Sequence, residues 1–157
     1  MIVPDANLLL YAYDSTSRFH RPAAAWWKQC LGGAEPIGLC AVVLFAFLRI
    51  GTSRRAFENP MTIDEAAEHV RSWLDRPVTD FLVTQEADVL QALQWLEAAG
   101  SGGNLTTDAQ IAAIAYRHRA TVHTADTDFN RFPDVRWRNP ILLPAPLTSF
   151  RREDCEG

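Results

Sequence analysis

A chain of 157 residues, 48% hydrophobic and 22% charged, has the length of one ordinary domain and the composition of a protein that buries a core. Apolar runs such as Ala41–Leu48 fall well short of the about 20 residues that a membrane-spanning helix needs, so no membrane partner is expected. The net charge of −4 counts, taken alone, against a nucleic-acid partner.

The chain opens with an apolar run, Met1–Pro4, that reads as a short strand ended by a residue unable to donate to a ladder. Helices follow at Asn7–Tyr13 and His20–Leu31, then a strand at Ile37–Cys40 and a helix at Val42–Ile50. Thr62-Ile63-Asp64-Glu65 fits a capping box and predicts a helix over Ile63–Leu74. A strand is expected at Phe81–Thr84. Apolar residues at Val89, Leu90, Leu93, Leu96 and Ala99 give Glu86–Ala99 a helical period. After the loop Gly100–Asn104, a second capping box at Thr107–Gln110 predicts a helix over Asp108–His118. Strands are expected at Thr121–Thr124 and Ile141–Leu143. Alternating strands and helices point to an α/β fold with a mainly parallel sheet covered on both faces, in three layers. No repeat or linker divides the chain, which reads as a single domain over 1–150 with a short tail at 151–157.

No basic stretch followed by an apolar block opens the sequence, so no signal peptide is expected. The three cysteines, Cys30, Cys40 and Cys155, are far apart and lack metal-ligand spacing, which argues against a disulfide or zinc framework and for a cytoplasmic setting. Fourteen of the fifteen cations are arginine, with Lys28 the one lysine. Arginine is the better fork for phosphate, although an Arg-rich composition also follows from genomic base content. The pairs and clusters at Arg54–Arg55, Arg136–Arg138 and Arg151–Arg152 read as solvated surface. Trp26, Trp27, Trp73 and Trp95 fall on predicted helices and read as core, leaving Trp137 as a base-stacking candidate. His20, His69, His118 and His123 share no metal-ligand spacing.

The aspartates are the informative residues. In an open α/β sheet, ligands bind beyond the carboxyl ends of the strands. Asp5 follows the first strand directly, and Asp126 and Asp128 follow Thr121–Thr124. Asp108 lies in the first turn of the helix feeding that strand. Singly, Asp5 also fits a helix cap, Asp108 a helix-start anion, and Asp126 with Asp128 a turn. Four acids at one rim repel one another unless a divalent cation joins them, and hard carboxylate oxygens suit Mg²⁺ or Mn²⁺. Setting these four aside leaves fifteen acids (19 − 4) against fifteen cations, so the acidic balance is no strong argument against RNA.

Three motifs then carry a resemblance. Asp5-Ala6-Asn7 before an apolar helix, the run Thr107–Ala115, and Thr124-Ala125-Asp126-Thr127-Asp128-Phe129 resemble the PIN-domain nucleases, and within them the VapC toxins of bacterial toxin–antitoxin pairs. The stretch Phe47–Thr52 with Arg54–Phe57 is similar to an actinobacterial branch of those toxins. The resemblance covers nearly the whole chain. It implies a PIN-like fold and a metal-dependent endoribonuclease that leaves a 5′-phosphate and a 3′-hydroxyl, with transfer or ribosomal RNA as the substrate class.

On that resemblance Asp5 and Asp108 would hold the ion, with Asp126 and Asp128 binding it or orienting its waters. Asn7 and Thr124 would support them, or else serve as a helix-start residue and a strand end. Arg49, Arg54, Arg55 and Arg131 are candidate contacts to RNA phosphates. An antitoxin would block the acidic rim, and a homodimer is implied, with the helices at Trp26–Trp27 and Val42–Phe47 as candidate surfaces. One departure stands out: the family usually carries a glutamate near Ala46, whereas this chain has no acid between Glu35 and Glu58. That keeps a non-catalytic RNA- or protein-binding module as the alternative. An aspartate-based phosphatase is remote, because Lys28 lies on an early helix and Asp126-Thr127-Asp128 comes too late in the chain.

Overall fold

A computed structural model gives the fold and describes residues 1–142; the expected domain end at residue 150, the tail and Cys155 lie outside the described residues. Strand β1 is Ile2–Pro4, all three residues buried, and it runs into helix α1, Ala6–Tyr13. Helix α2 spans His20–Gly32, strand β2 Ile37–Cys40 and helix α3 Ala41–Gly51. Helix α4 is Ile63–Leu74, opened by the Thr62–Glu65 capping box that the sequence encodes: Glu65 N–H donates to Thr62 Oγ1, and Thr62 N–H to Glu65 Oε2.

Strand β3 is Thr79–Leu82, helix α5 Glu86–Ala99, helix α6 Leu105–Arg117 and strand β4 Thr121–His123. A 3₁₀ turn at Thr127–Arg131 leads to strand β5, Arg136–Arg138.

The five strands lie in the order β3-β2-β1-β4-β5, and every pairing is parallel. The first strand is central. The chain fills one side of it with β2 and β3, then crosses to the other with β4 and β5. The switch in strand order therefore falls between β1 and β4, where such sheets leave a crevice beyond their carboxyl ends. Both faces are covered: His123 meets Trp26 of α2, while its neighbour Val122 is fully buried on the opposite face. The result is the expected three-layer α/β/α arrangement. Among the described residues no helix is long and apolar enough to cross a membrane, and Cys30 and Cys40 are free thiols.

Four local expectations are corrected. The last strand is Arg136–Arg138, not Ile141–Leu143: Ile141 sits in a turn, Leu142 in no element, and Leu143 outside the described residues. An edge strand needs only one paired neighbour, so β5 can carry two exposed arginines, and the cluster read as plain surface is half of a ladder with β4. Strand β3 starts two residues early, because its register with β2 pairs Ile37 with Thr79, although Asp80 and Phe81 face solvent.

Helix α6 begins at Leu105, so Thr107 is inside it and caps nothing. The left-handed Gly103 (φ 60°) turns the chain, and burial of Leu105 anchors the first turn. The apolar stripe of α5 divides, with Leu96 and Ala99 packed half-buried against the core and its first half turned outward. Asp88, Ala92 and Trp95 are its buried residues, while Val89, Leu90 and Leu93 are exposed.

Candidate metal centre

The site begins at the end of β1. Pro4 closes the strand and Asp5 takes the N-cap position of α1, yet its carboxylate does not cap that helix. It turns to the neighbouring strand instead. Thr124 Oγ1 donates to Asp5 Oδ2 at 2.7 Å, and Asn7 Nδ2 donates to the same oxygen at 3.0 Å. Asn7 Nδ2 also lies 3.2 Å from Thr124 Oγ1, and Ala125 N–H reaches Asn7 Oδ1 at 3.4 Å. The Thr124 hydroxyl in turn accepts from Asp126 N–H at 2.9 Å. One hydroxyl thus fixes the acid after β1 against the loop after β4.

In that loop Asp126 Oδ1 accepts from Asp128 N–H at 2.8 Å and caps the 3₁₀ turn. One oxygen of Asp126 therefore serves the turn. Asp108, one turn into α6 and 9% exposed, completes the group. One carboxylate oxygen from each of Asp108, Asp126 and Asp128 lies within 4.8 Å of the others. Asp5, 7% exposed, is not part of that close set but stands within electrostatic reach of it.

The electrostatics follow from this crowding. Burial, and after it the charges of Asp5, Asp126 and Asp128, push Asp108 up to about 7. Burial also raises Asp5, opposed by the Thr124 hydrogen bond and reinforced by Asp126. Among the described residues the cation that contacts this group is Arg131, whose Nε lies 3.6 Å from Asp128 Oδ1 with both side chains half-exposed. A divalent cation satisfies what the protein leaves unbalanced, and an all-oxygen donor set suits a hard ion.

The remaining candidates separate. Arg49 lines a groove between α3 and α6, whereas Arg54 and Arg55 are exposed in the turn after α3 and pair with none of the acids among the described residues. Trp26, Trp27, Trp73 and Trp95 are core, as expected, and Trp137 is half-buried against it on β5. Burial, and then the Arg138 charge, hold His123 down near 4. Its ring nitrogens face Trp26 Nε1 and Arg138 Nε, both donors, so the neutral ring accepts from one of them at a time and a second ring proton finds no acceptor.

Ala46 is buried on α3 and lines the same groove as Arg49. Phe45, Thr107 and Gln110 share that groove, although the sequence pattern marks Thr107 and Gln110 only as a capping box and Phe45 only as part of an apolar helix. The available signal was Phe45 one helical turn before Arg49, on the face that Val43 and Phe47 do not occupy.

Comparison with known proteins agrees with this geometry. The PIN domain family matches residues 2–135. Ribonuclease VapC33 of Mycobacterium tuberculosis is 43% identical over 141 residues, covering 90% of this chain and 99% of the relative. Ribonuclease VapC37 of the same species is 39% identical over 145 residues, covering 91% and 99%. Among solved structures, M. tuberculosis VapC20, described as a sarcin–ricin loop cleaving toxin, superposes with a TM-score of 0.65 at 17% identity over 87% of this chain and 99% of that one. VapBC2 from Rickettsia felis, bound to a DNA fragment from its promoter, gives 0.63 at 19% identity over 88% and 98%. With the acids of two strand ends and one helix gathered at the switch point, the chain belongs to the PIN-domain family, among its VapC ribonucleases.

Proposed function

We propose that the acidic rim hydrolyses RNA phosphodiester bonds, with Asp5, Asp108, Asp126 and Asp128 as its catalytic and metal-holding residues and Mg²⁺ or Mn²⁺ as the ion. The observation that carries this reading is the convergence of three carboxylates within 4.8 Å, with Asp108 pushed up to about 7. Such crowding costs stability in a metal-free chain and is relieved by a cation. When bound, the ion supplies a lowered pKa for a coordinated water and counter-charge for the phosphate oxygens.

The chain's own residues do the rest. Asp108, Asp126 and Asp128 supply the convergent oxygens. Thr124 and Asn7 hold Asp5 by one oxygen, which leaves the other for the ion or a water. Asp126 fixes the Asp128 backbone through its own second task as a cap. The expected products carry a 5′-phosphate and a 3′-hydroxyl, and transfer or ribosomal RNA is the substrate class.

The chain acts, on this reading, as the toxin of a toxin–antitoxin pair in the cytoplasm. Support comes from the VapC relatives and from the VapBC complexes that share its fold. The antitoxin occludes the acidic rim. The chain also pairs with a second copy of itself on this reading. Of the two candidate helices, at Trp26–Trp27 and Val42–Phe47, the first does not serve through its tryptophans, since both are buried in the core.

The deciding experiment is cleavage of total bacterial RNA by the antitoxin-free chain in Mn²⁺ or Mg²⁺, beside Asp108→Asn and an EDTA control. Discrete bands that need both metal and Asp108 are expected. Intact RNA from a folded, metal-binding chain sinks the reading and leaves a non-catalytic binding module.

A further inference from the structure

We propose that the groove between α3 and α6 seats a nucleobase of the RNA beside the scissile phosphate, with Phe45 as its stacking face and Arg49 as a phosphate contact. This rests on the ribonuclease reading and adds to it the part of the protein that selects where RNA is cut.

The groove has a volume of about 720 Å³, within the range of sites that hold one small ligand or one nucleotide. Its walls carry chain neighbours of residues at the acidic rim. Thr107, in its wall, is the neighbour of Asp108 on α6. Ala41, in its opposite wall, follows Cys40, whose thiol is pushed up to about 11 by burial and, more weakly, by the Asp5 charge. On this proposal a nucleotide lying in the groove turns its sugar-phosphate towards the carboxylates.

The lining has the chemistry that an unpaired base requires. Ala41, Phe45 and Arg49 repeat at helical spacing on one face of α3. Phe45 is 68% exposed on a helix whose Val43, Leu44 and Phe47 are buried, so it is not held there by the core. Arg49, one turn on, is exposed and pairs with no acid among the described residues. Thr107 and Gln110 face them with a hydroxyl and an amide, the groups that read base edges.

Among the described residues no acidic side chain lines the groove. At position 46 the small alanine leaves room and adds no charge that would repel the backbone. An aromatic face beside an unpaired guanidinium is the pattern of single-strand recognition.

The test compares the wild-type chain with Phe45→Ala, Phe45→Trp and Arg49→Gln. Cleavage of bulk transfer RNA is followed for apparent KM and for mapped ends, Mn²⁺ affinity by calorimetry, and mass by light scattering. Phe45→Ala is expected to raise KM about tenfold and redistribute the cut sites, and Phe45→Trp to restore both, with metal affinity and mass unchanged. Arg49→Gln is expected to raise KM and flatten its salt dependence.

Unchanged KM and cut sites in Phe45→Ala overturn the proposal. So does a change of mass, which would assign Phe45 to contact with a second copy. Binding of a mixed-sequence single-stranded RNA in EDTA, where nothing is cut, separates this proposal from the reading beneath it. Weaker binding by Phe45→Ala supports the groove even if the wild-type chain cleaves nothing, and equal binding defeats it.

Discussion

Thr124 donates its hydroxyl to Asp5 Oδ2 at 2.7 Å across 119 residues of sequence, joining the end of β1 to the loop after β4. The same oxygen of Thr124 accepts from Asp126 N–H, so a single side chain sets the spacing between two acids from different strands. Residues that orient metal ligands in this way commonly matter about 10–100-fold in metal affinity or activity.

Replacing Thr124 with valine keeps the shape and removes the hydroxyl. Cleavage is expected to fall by about 10–100-fold, with weaker Mn²⁺ binding and an intact fold by circular dichroism, while Thr124→Ser retains most activity. Full activity in Thr124→Val would mean that Asp5 is placed by α1 alone.

The pH dependence follows from Asp108, which burial and three neighbouring acids push from 3.8 up to about 7. Between those values the folded chain holds a proton that the unfolded chain has released. Raising the pH through that window strips this proton from the folded state, so the metal-free chain loses stability as pH climbs from about 4 towards 7. A cation takes the deprotonated form, so apparent Mn²⁺ affinity rises by up to about tenfold per pH unit and levels off above about pH 7. Thermal melts and calorimetry at several pH values read both effects, and Asp108→Asn is expected to flatten the first. Stability that rises with pH in the metal-free chain would contradict the crowded-acid account.

Arg131 stands 3.6 Å from Asp128, and both are half-exposed, so the pair adds about 1 kcal/mol or less to stability. Its consequence is electrostatic: a resident cation at the rim competes with the metal for Asp128 and attracts the polyanion. Arg131→Gln should therefore tighten Mn²⁺ binding about twofold while weakening RNA binding and lowering its salt slope by about 1. Opposite signs on the two ligands are the signature. Metal binding that weakens in Arg131→Gln would show that the arginine braces Asp128 rather than competing for it.

The acids were legible because each follows a strand or starts a helix, positions that composition and turn chemistry mark. Asp5 after Met1–Pro4 and Asp126 after Thr121–Thr124 needed only the rule that ligands gather at carboxyl ends of parallel strands. What stayed hidden depends on partners far away in sequence. Strand β5 carries arginines at both ends and becomes a strand only through β4, which no local pattern announces. The stripe Val89–Leu93 identified a helix correctly but not which way it faces, because the buried face of α5 includes the charged Asp88. Helix α6 starts two residues before its apparent capping box, since the turn at Gly103 and the buried Leu105 outweigh a threonine's capping preference.

Asp88 is only 3% exposed and is tolerated there because Arg117 meets it with two bonds, Nε to Oδ1 at 2.7 Å and Nη2 to Oδ2 at 2.9 Å. Burial pushes the Asp88 carboxyl up, but the Arg117 and Gln85 hydrogen bonds outweigh it and leave the group below its ordinary value. Arg117 Nη2 also donates to Val83 O at 2.8 Å, so the pair ties α5, α6 and the end of β3 together. Removing the guanidinium strands a buried carboxylate, and Arg117→Met is expected to cost about 2–4 kcal/mol in urea unfolding. Asp88→Asn should cost less, because the amide keeps an acceptor and leaves no uncompensated charge. The double variant should recover part of the loss, since the buried charge is then gone. Additive losses would mean that Arg117 stabilises mainly through Val83. Because α6 also carries Asp108, Mn²⁺ affinity in Arg117→Met reports whether loosening this end of the helix reaches the acidic rim.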